Sequence, residues 1–115
     1  MGLDFSTGEV KFQDSVLRGS VVELGNAVLA LFWEGDEPLL GTLTVTLPDR
    51  SSSSLLGDRD RQLGLVLGAH LAAQTGKMTL VSVNLPMGRG EAAGRALLEL
   101  AQSLMEKVGK REEKG

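Results

Sequence analysis

The first half of the chain alternates between apolar and polar residues with a period near two, which is the pattern of β-strands. Turn residues separate the apolar runs, because glycine and asparagine accept positive φ and proline cannot donate within a strand ladder. The predicted breaks are at Gly19, at Gly25-Asn26 and at Gly35-Asp36 with Pro38. We therefore predict four strands joined as an antiparallel segment, over residues 10–17, 21–24, 27–34 and 39–47.

The strand over residues 39–47 predicts one apolar face and one polar face. Leucine and valine alternate there with threonine. A strand of this kind in an antiparallel sheet buries its apolar side and leaves the other side to water or to a partner. We predict that this wet or partner-facing side holds Thr42, Thr44 and Thr46.

The strand over residues 27–34 is apolar on both faces, so both of its sides need cover. One side holds Val28, Ala30 and Phe32, and the other holds Leu29, Leu31 and Trp33. Two helices can cover only one side of a sheet. The second side must then meet a loop, another sheet of the same chain or a second subunit.

A loop and then a helix are predicted after the fourth strand. Residues 48–57 hold a proline, four consecutive serines and a glycine, which is loop composition. Asp58 is predicted to cap the helix, Asp60 to complement the positive end of its dipole, and Gly76 to end it. The predicted apolar stripe of this helix is Leu63, Val66, Leu67 and Leu71.

The last third of the chain predicts a strand over residues 78–85 and a helix over about residues 91–108, with Gly109 as its stop. The apolar side of this helix is predicted to be Ala93, Leu97, Leu100, Ala101, Leu104 and Val108. The fold class is therefore α+β, with about five to six strands and two helices. We predict one domain over residues 1–109 and a charged, flexible tail over residues 110–115.

Composition excludes several classes of protein but does not identify the function. The chain has 115 residues, a net charge of −3 and no cysteine. The basic residues are scattered instead of clustered, so we expect no nucleic-acid partner. The lack of cysteine rules out a disulfide framework and a thiol nucleophile, and no apolar run is long enough to span a membrane. We expect a soluble intracellular protein without a membrane partner.

No arrangement of residues predicts catalysis or metal binding. His70 is the single histidine, and the sequence pairs it with neither a nucleophile nor an orienting acid. The carboxylates are explained by a helix start and by a solvated turn, and none has the spacing of a metal loop. These carboxylates are Glu34, Asp36, Glu37, Asp58 and Asp60. We predict no catalytic residue, no cofactor and no metal, and hence no enzyme.

The turn over residues 88–94 superficially resembles a phosphate-binding loop. It holds Gly88, Arg89, Gly90 and Gly94 between a strand and a helix, but the spacing fits neither a dinucleotide fingerprint nor a P-loop. Arg89 could still attract a phosphate. A regulatory domain that binds a nucleotide or another small molecule at this turn is the alternative function.

Three segments together resemble a known family. Residues 31–35 read Leu-Phe-Trp-Glu-Gly, residues 52–58 read Ser-Ser-Ser-Leu-Leu-Gly-Asp, and residues 71–77 run into Val-Ser-Val-Asn-Leu at 81–85. On these motifs the chain resembles the proteasome assembly chaperone 4 family, which is related to proteasome assembly chaperone 3. The resemblance covers about residues 5–105. The loop over 48–54 is shorter than in relatives, and the turn over 88–94 is richer in glycine.

The resemblance implies a chaperone without a reaction, which pairs with a chaperone 3-like subunit and helps to assemble the α-subunit ring of the 20S proteasome. It also implies an antiparallel sheet with two helices packed on one face and dimerisation through the other face. This agrees with the strand over 27–34 that is apolar on both sides. A homodimer in isolation, the α subunit that is bound and the location, cytoplasmic alone or also nuclear, stay open.

The predicted partner-binding residues lie on one apolar face of the strand over 27–34, on the threonine face of the strand over 39–47 and in the serine loop. We expect the serine loop to be mobile and to face the partner, since partner contacts are often made by loops on a rigid scaffold. The candidates are Leu29, Leu31, Trp33, Thr42, Thr44, Thr46, Ser51, Ser52, Ser53 and Ser54.

Overall fold

In a computed structural model of the protein, six strands form one mixed sheet, and two helices pack on one of its faces. The structure describes residues 4–49, 51–57, 59–86 and 90–114. The elements are β1 (Ser6–Phe12), β2 (Ser15–Glu23), β3 (Ala27–Glu34), β4 (Thr42–Thr46), β5 (Ser52–Leu56), α1 (Arg61–Thr75), β6 (Met78–Asn84) and α2 (Gly90–Lys114). The predicted α+β class, with its strand number and two helices, is confirmed. The expectation of a wholly antiparallel sheet was wrong, because β3 and β6 pair in parallel.

The strands lie in the order β1-β2-β3-β6-β4-β5. All neighbouring pairs are antiparallel except β3 and β6, which are parallel. Strand β6 therefore separates β3 from β4, although these two follow each other in the chain. The connection over residues 35–41 must cross the end of β6 to join them.

The first hairpin differs from the prediction. Its turn is at Gln13-Asp14, where Gln13 has a positive φ of 57°, and Gly19 lies within β2 instead of breaking it. The reason is packing, because a Cβ on Gly19 would lie 2.9 Å from Phe32 Cδ1 and 3.1 Å from Leu100 Cδ2. This glycine makes room for two core side chains and forms no turn.

The serine segment is a strand, and the predicted loop over residues 48–57 was wrong. Pro48 and Asp49 turn the chain, Leu47 N donates to Ser51 O at 2.8 Å, and Ser51 N donates to Asp49 Oδ1 at 2.9 Å. The chain then returns along β4 as β5. Backbone pairing with β4 needs no particular side chain, so serine composition did not prevent it.

The helix ends agree with prediction in part. Gly76 ends α1 with a φ of 70°, and its N–H donates to Ala72 O at 2.8 Å. The expected cap, Asp58, lies outside the described residues, and Asp60 occupies the N-cap position without a side-chain cap bond. Helix α2 continues past Gly109 to Lys114. One glycine costs only about 1 kcal/mol in a helix, which does not suffice to end it.

The core lies between the sheet and the two helices. The predicted apolar side of α2 is buried throughout. On α1 one position was wrong, because Val66 is 50% exposed while Gly64 and Gly68 are buried. The main core side chains are Leu17, Val21, Phe32, Leu67, Leu71, Val81, Val83, Leu97 and Leu104.

Candidate protein-docking face

The sheet face opposite the helices carries a continuous apolar row. Strand register places Val22 beside Leu29, Leu29 beside Leu80, and Leu80 beside Val45, across β2, β3, β6 and β4. Residues that pair across neighbouring strands point to the same face of the sheet. On β3, Leu29 alternates with Val28 and Ala30 of the core, so Leu29 points away from the helices. We call this side of the sheet the open face.

A second row of the open face mixes leucine with serine. It runs Ser20, Leu31, Ser82, Leu43 and Leu56 from β2 to β5. Leu31 and Leu43 are half-buried, as are Leu29, Val45 and Leu80 of the first row. None of the helices that the structure describes packs over them as α1 and α2 pack over the other face. These five side chains keep apolar surface in water in a single subunit.

Trp33 lies on the open face but is sealed within the subunit. It stands between Arg18 of β2 and Asn84 of β6, and it is only 4% exposed. Arg18 contacts two carboxylates, Glu9 at 3.2 Å and Asp36 at 3.2 Å. Within the described part of the chain, the indole nitrogen has no hydrogen-bond partner. Trp33 is thus a poor candidate for contact with a partner protein. The charged side chains around it, Arg18, Glu9 and Asp36, form a polar rim.

The loop over residues 35–41 closes this end of the open face. Gly41 N donates to Ser82 Oγ at 2.9 Å, and Asn84 Nδ2 donates to Leu40 O at 3.1 Å. A Cβ on Gly41 would overlap the carbonyl of Val83. Only glycine allows the backbone to cross β6 this closely.

The three predicted threonines face the helices, so the expected wet side of β4 was wrong. Thr42, Thr44 and Thr46 pair with Val83, Val81 and Thr79, which share the helix-covered face, and all three are buried. Thr42 Oγ1 also donates to the carbonyl of Arg59.

Two glycines explain this orientation of β4. A Cβ on Gly64 would lie 3.1 Å from Thr44 Oγ1, and one on Gly68 would lie 2.6 Å from Thr46 Oγ1. The small residues of α1 let the helix approach a threonine surface closely. The other side of β4, with Leu43 and Val45, is therefore turned to the open face.

The predicted serines lie at one edge of the sheet. Ser51 is in the turn before β5, while Ser52, Ser53 and Ser54 form the strand and are mostly exposed. Sequence reasoning missed Leu80, Leu43 and Val45 as members of the open face. The alternation of Leu80 with Val81 and Val83 was a signal that could have found the first.

The remaining polar groups do not form a reactive site among the described residues. His70 Nε2 lies 3.4 Å from Gln102 Nε2, in a shallow cleft between α1 and α2 that Gln74 and Glu106 also line. No group of three or more potential metal ligands occurs in the described part of the chain.

The glycine turn that the sequence offered as a phosphate site lies largely outside the described residues, since Gly88 and Arg89 are not among them. A Cβ on Gly94 would lie 3.7 Å from Leu63 Cδ1, so this glycine lies at a helix–helix contact. None of the helices that the structure describes has a stretch long and apolar enough to cross a membrane.

The fold, a six-stranded sheet with two helices on one face, is shared with a protein of known structure. No family model matches the chain, and no curated protein matches its sequence. A solved structure of a novel chaperone complex for yeast 20S proteasome assembly is similar, with a TM-score of 0.73 and 12% sequence identity. The match covers 93% of this chain and 98% of that chain. At this identity the likeness shows the fold, and the resemblance to chaperone 4 in particular stays a prediction.

Proposed function

We propose that this protein is a non-enzymatic chaperone in the assembly of the 20S proteasome. The fold match to a chain of a yeast assembly-chaperone complex supports the class, since it covers nearly all of both chains. The observation that carries the proposal is a group of five half-buried apolar side chains, which spans three neighbouring strands on the face without helices. They are Leu29, Leu31, Leu43, Val45 and Leu80. A continuous apolar patch of this kind on a protein surface marks a protein–protein interface.

The proposed mode of action is a dimer through the open face. Two sheets that pack face to face interdigitate their side chains at a spacing of about 10 Å. Complete burial of a leucine or valine side chain contributes about 1.5–3 kcal/mol, and five half-buried ones would each supply part of this. The natural partner in our proposal is a chaperone 3-like subunit, and a homodimer forms when that subunit is absent.

The polar rim supports a preference for one partner. Arg18 with Glu9 and Asp36 stands at one end of the open face, and Lys77 contacts Glu23 at 2.7 Å near the other end. Charged groups at the border of an interface suppress wrong partners and fix register more than they add affinity. We propose that the dimer binds proteasome α subunits during formation of the α ring, in the cytoplasm or also in the nucleus.

A charged substitution in the middle of the open face tests the proposal. Leu31→Asp places a carboxylate between Ser20 and Ser82, where water reaches it in a single subunit but not in the dimer. Burying an unpaired charge costs about 3 kcal/mol or more, which weakens association by roughly 100-fold. Sedimentation velocity with the wild-type chain and the variant, alone and with a co-expressed chaperone 3-like subunit, measures this directly.

Val66→Asp is the matched control, because Val66 is an exposed apolar residue on the outer side of α1. We expect the control to associate as the wild type does. Circular dichroism must show that both variants are folded. If wild type is monomeric both alone and with the co-expressed subunit, or if Leu31→Asp associates as well as wild type does, the open face is not the interface.

A further inference from the structure

The hydroxyl groups of the four consecutive serines are engaged to different degrees. Ser51 Oγ donates to Asp49 Oδ1 at 2.6 Å, and Ser54 Oγ donates to Gly57 O at 3.0 Å. By contrast, Ser53 Oγ makes only a long contact of 3.4 Å with the carbonyl of the residue that follows it, and Ser53 is exposed. A reactant from solvent therefore meets the Ser53 hydroxyl without first breaking a strong hydrogen bond.

The first two serines of β5 point to opposite faces of the sheet. Ser52 pairs with Thr46, which faces the helices, whereas Ser53 pairs with Val45 of the open face. Val45 pairs in turn with Leu80. Ser53 thus extends the first row of the open face onto the edge strand, and a group attached to its Oγ lies at the border of the proposed interface.

The sequence before Ser53 fits recognition by a protein kinase. Arg50 lies three residues before Ser53, and many serine kinases select a basic residue at this distance. An arginine suits this role because its guanidinium pairs strongly with carboxylates of the kinase. Kinases bind the substrate segment in an extended form, and β5 is already extended as the last strand in the sheet order.

We propose that Ser53 is a phosphorylation site, and that its phosphorylation prevents the subunit from dimerising through the open face. This inference rests on the proposed dimer. In the reaction, Ser53 Oγ attacks the γ-phosphorus of ATP, the bond from that phosphorus to the leaving oxygen of ADP breaks, and the hydroxyl proton passes to a carboxylate of the kinase. The kinase acts on the free subunit, because the dimer covers the open face.

The phosphate opposes the dimer through its charge. Phosphoserine carries about −1.5 to −2 charges at pH 7, and its oxygens need water or cations as partners. Val45 and Leu80, the neighbours in the row, supply no positive charge. Since Ser53 lies on the edge strand, the phosphate keeps part of its water, and its effect is smaller than that of Leu31→Asp. We expect association to weaken by about tenfold or more.

The first measurement locates the phosphate. The chain is isolated from its source cell with phosphatase inhibitors, and mass spectrometry of peptides that contain residues 51–54 identifies the modified serine. We expect phosphate on Ser53 in the wild type and its loss in Arg50→Ala. Arg59→Ala is the matched control, because this arginine follows the serines, and it should keep the phosphate. A lack of phosphate in the wild type, or phosphate only on the other serines, overturns the proposal.

The second measurement determines what the phosphate does. Phosphoserine is incorporated during translation at position 53, or at position 52 as the matched control, and each chain is compared with wild type by sedimentation velocity, alone and with a chaperone 3-like subunit. We expect weaker association only with phosphoserine at position 53, and phosphatase treatment should restore it. Circular dichroism checks that each chain is folded.

The outcomes separate this inference from the proposed dimer. If wild type associates and the chain with phosphoserine at position 53 associates equally well, the phosphorylation switch is wrong and the dimer stands. Equal weakening by phosphoserine at positions 52 and 53 also overturns the switch, because Ser52 points away from the open face. If wild type itself is monomeric both alone and with the second subunit, the dimer is wrong, and the switch fails with it.

Discussion

Replacing Gly68 with alanine tests which side of β4 faces the helices, and therefore which residues form the open face. Gly68 is on α1, and a Cβ added there would lie 2.6 Å from Thr46 Oγ1, 3.3 Å from Thr46 Cβ and 3.6 Å from Val81 Cγ2. Thr46 is 1% exposed and β-branched, so it has little freedom to move away. Gly68→Ala therefore overpacks the contact between α1 and β4.

Two effects of opposite sign decide how much Gly68→Ala changes the free energy of unfolding. Overpacking of a well-filled core costs about 1–3 kcal/mol, whereas alanine gains about 1 kcal/mol over glycine in a helix interior. Gly94 is the internal control, since a Cβ there would meet Leu63 Cδ1 at an ordinary 3.7 Å. Gly94→Ala should gain the stabilisation that alanine gives over glycine in a helix, without a steric clash. The two variants should therefore differ in unfolding free energy by about 1–3 kcal/mol, with Gly68→Ala the less stable.

Urea unfolding at one fixed protein concentration measures the difference, because association would otherwise shift the apparent stability. A double-mutant cycle then identifies the clashing atom. Thr46→Ala removes Oγ1 and should relieve most of the cost of Gly68→Ala. Thr46→Val keeps both branches and should relieve little of it. If Gly68→Ala is as stable as Gly94→Ala, the threonines do not face α1, and Leu43 and Val45 do not belong to the open face.

Three further predictions concern single side chains. Thr44 Oγ1 is buried without a hydrogen-bond partner among the described residues, so Thr44→Val should stabilise the protein by about 1 kcal/mol in the same unfolding assay. Trp33→Asp should unfold the subunit instead of only separating a dimer, because Trp33 is buried within one chain; a folded monomer by circular dichroism would contradict this. The Ser51 hydroxyl and N–H donate to Asp49 and lower the pKa of that carboxyl. Any stability that these hydrogen bonds provide is present above the pKa of Asp49 in the unfolded chain and is lost as pH falls below about 4. Ser51→Ala should therefore raise the titration midpoint of the Asp49 carboxyl, as measured by NMR.

The parts of the fold that depend on side-chain periodicity could be predicted from the sequence. Strand β3 was predicted with its two apolar faces, and α2 was predicted with its buried side, because both follow one period over many residues. The end of α1 was also predictable, since Gly76 takes the positive φ that glycine favours at this position.

The parts that depend on tertiary contact could not be predicted in this way. Alternation in β4 separates threonine from leucine and valine, but it does not say which set meets a helix. Gly64 and Gly68 decide it by close approach, and their effect appears only when α1 lies on β4. Strand β5 was missed because its serines have low strand preference, and its partner strand β4 supplies the pairing.

The candidate docking face was predicted in part for the same reason. Leu29 and Leu31 were found from one strand alone, whereas Leu80 and Val45 join them through register with β6 and β4. The parallel placement of β6 between β3 and β4 brings these residues into one row. Contacts between strands that are distant in the chain leave no local pattern.

The most direct test of the proposed chaperone is recovery of partners from the source cell. Tagged wild-type chain, Leu31→Asp and Val66→Asp are expressed at equal levels, purified gently and analysed by quantitative mass spectrometry. Our account predicts that wild type and Val66→Asp recover a second assembly-chaperone chain together with proteasome α subunits, and that Leu31→Asp loses the second chaperone. Absence of proteasome subunits from the wild-type sample, or equal recovery of the second chaperone with Leu31→Asp, would contradict it.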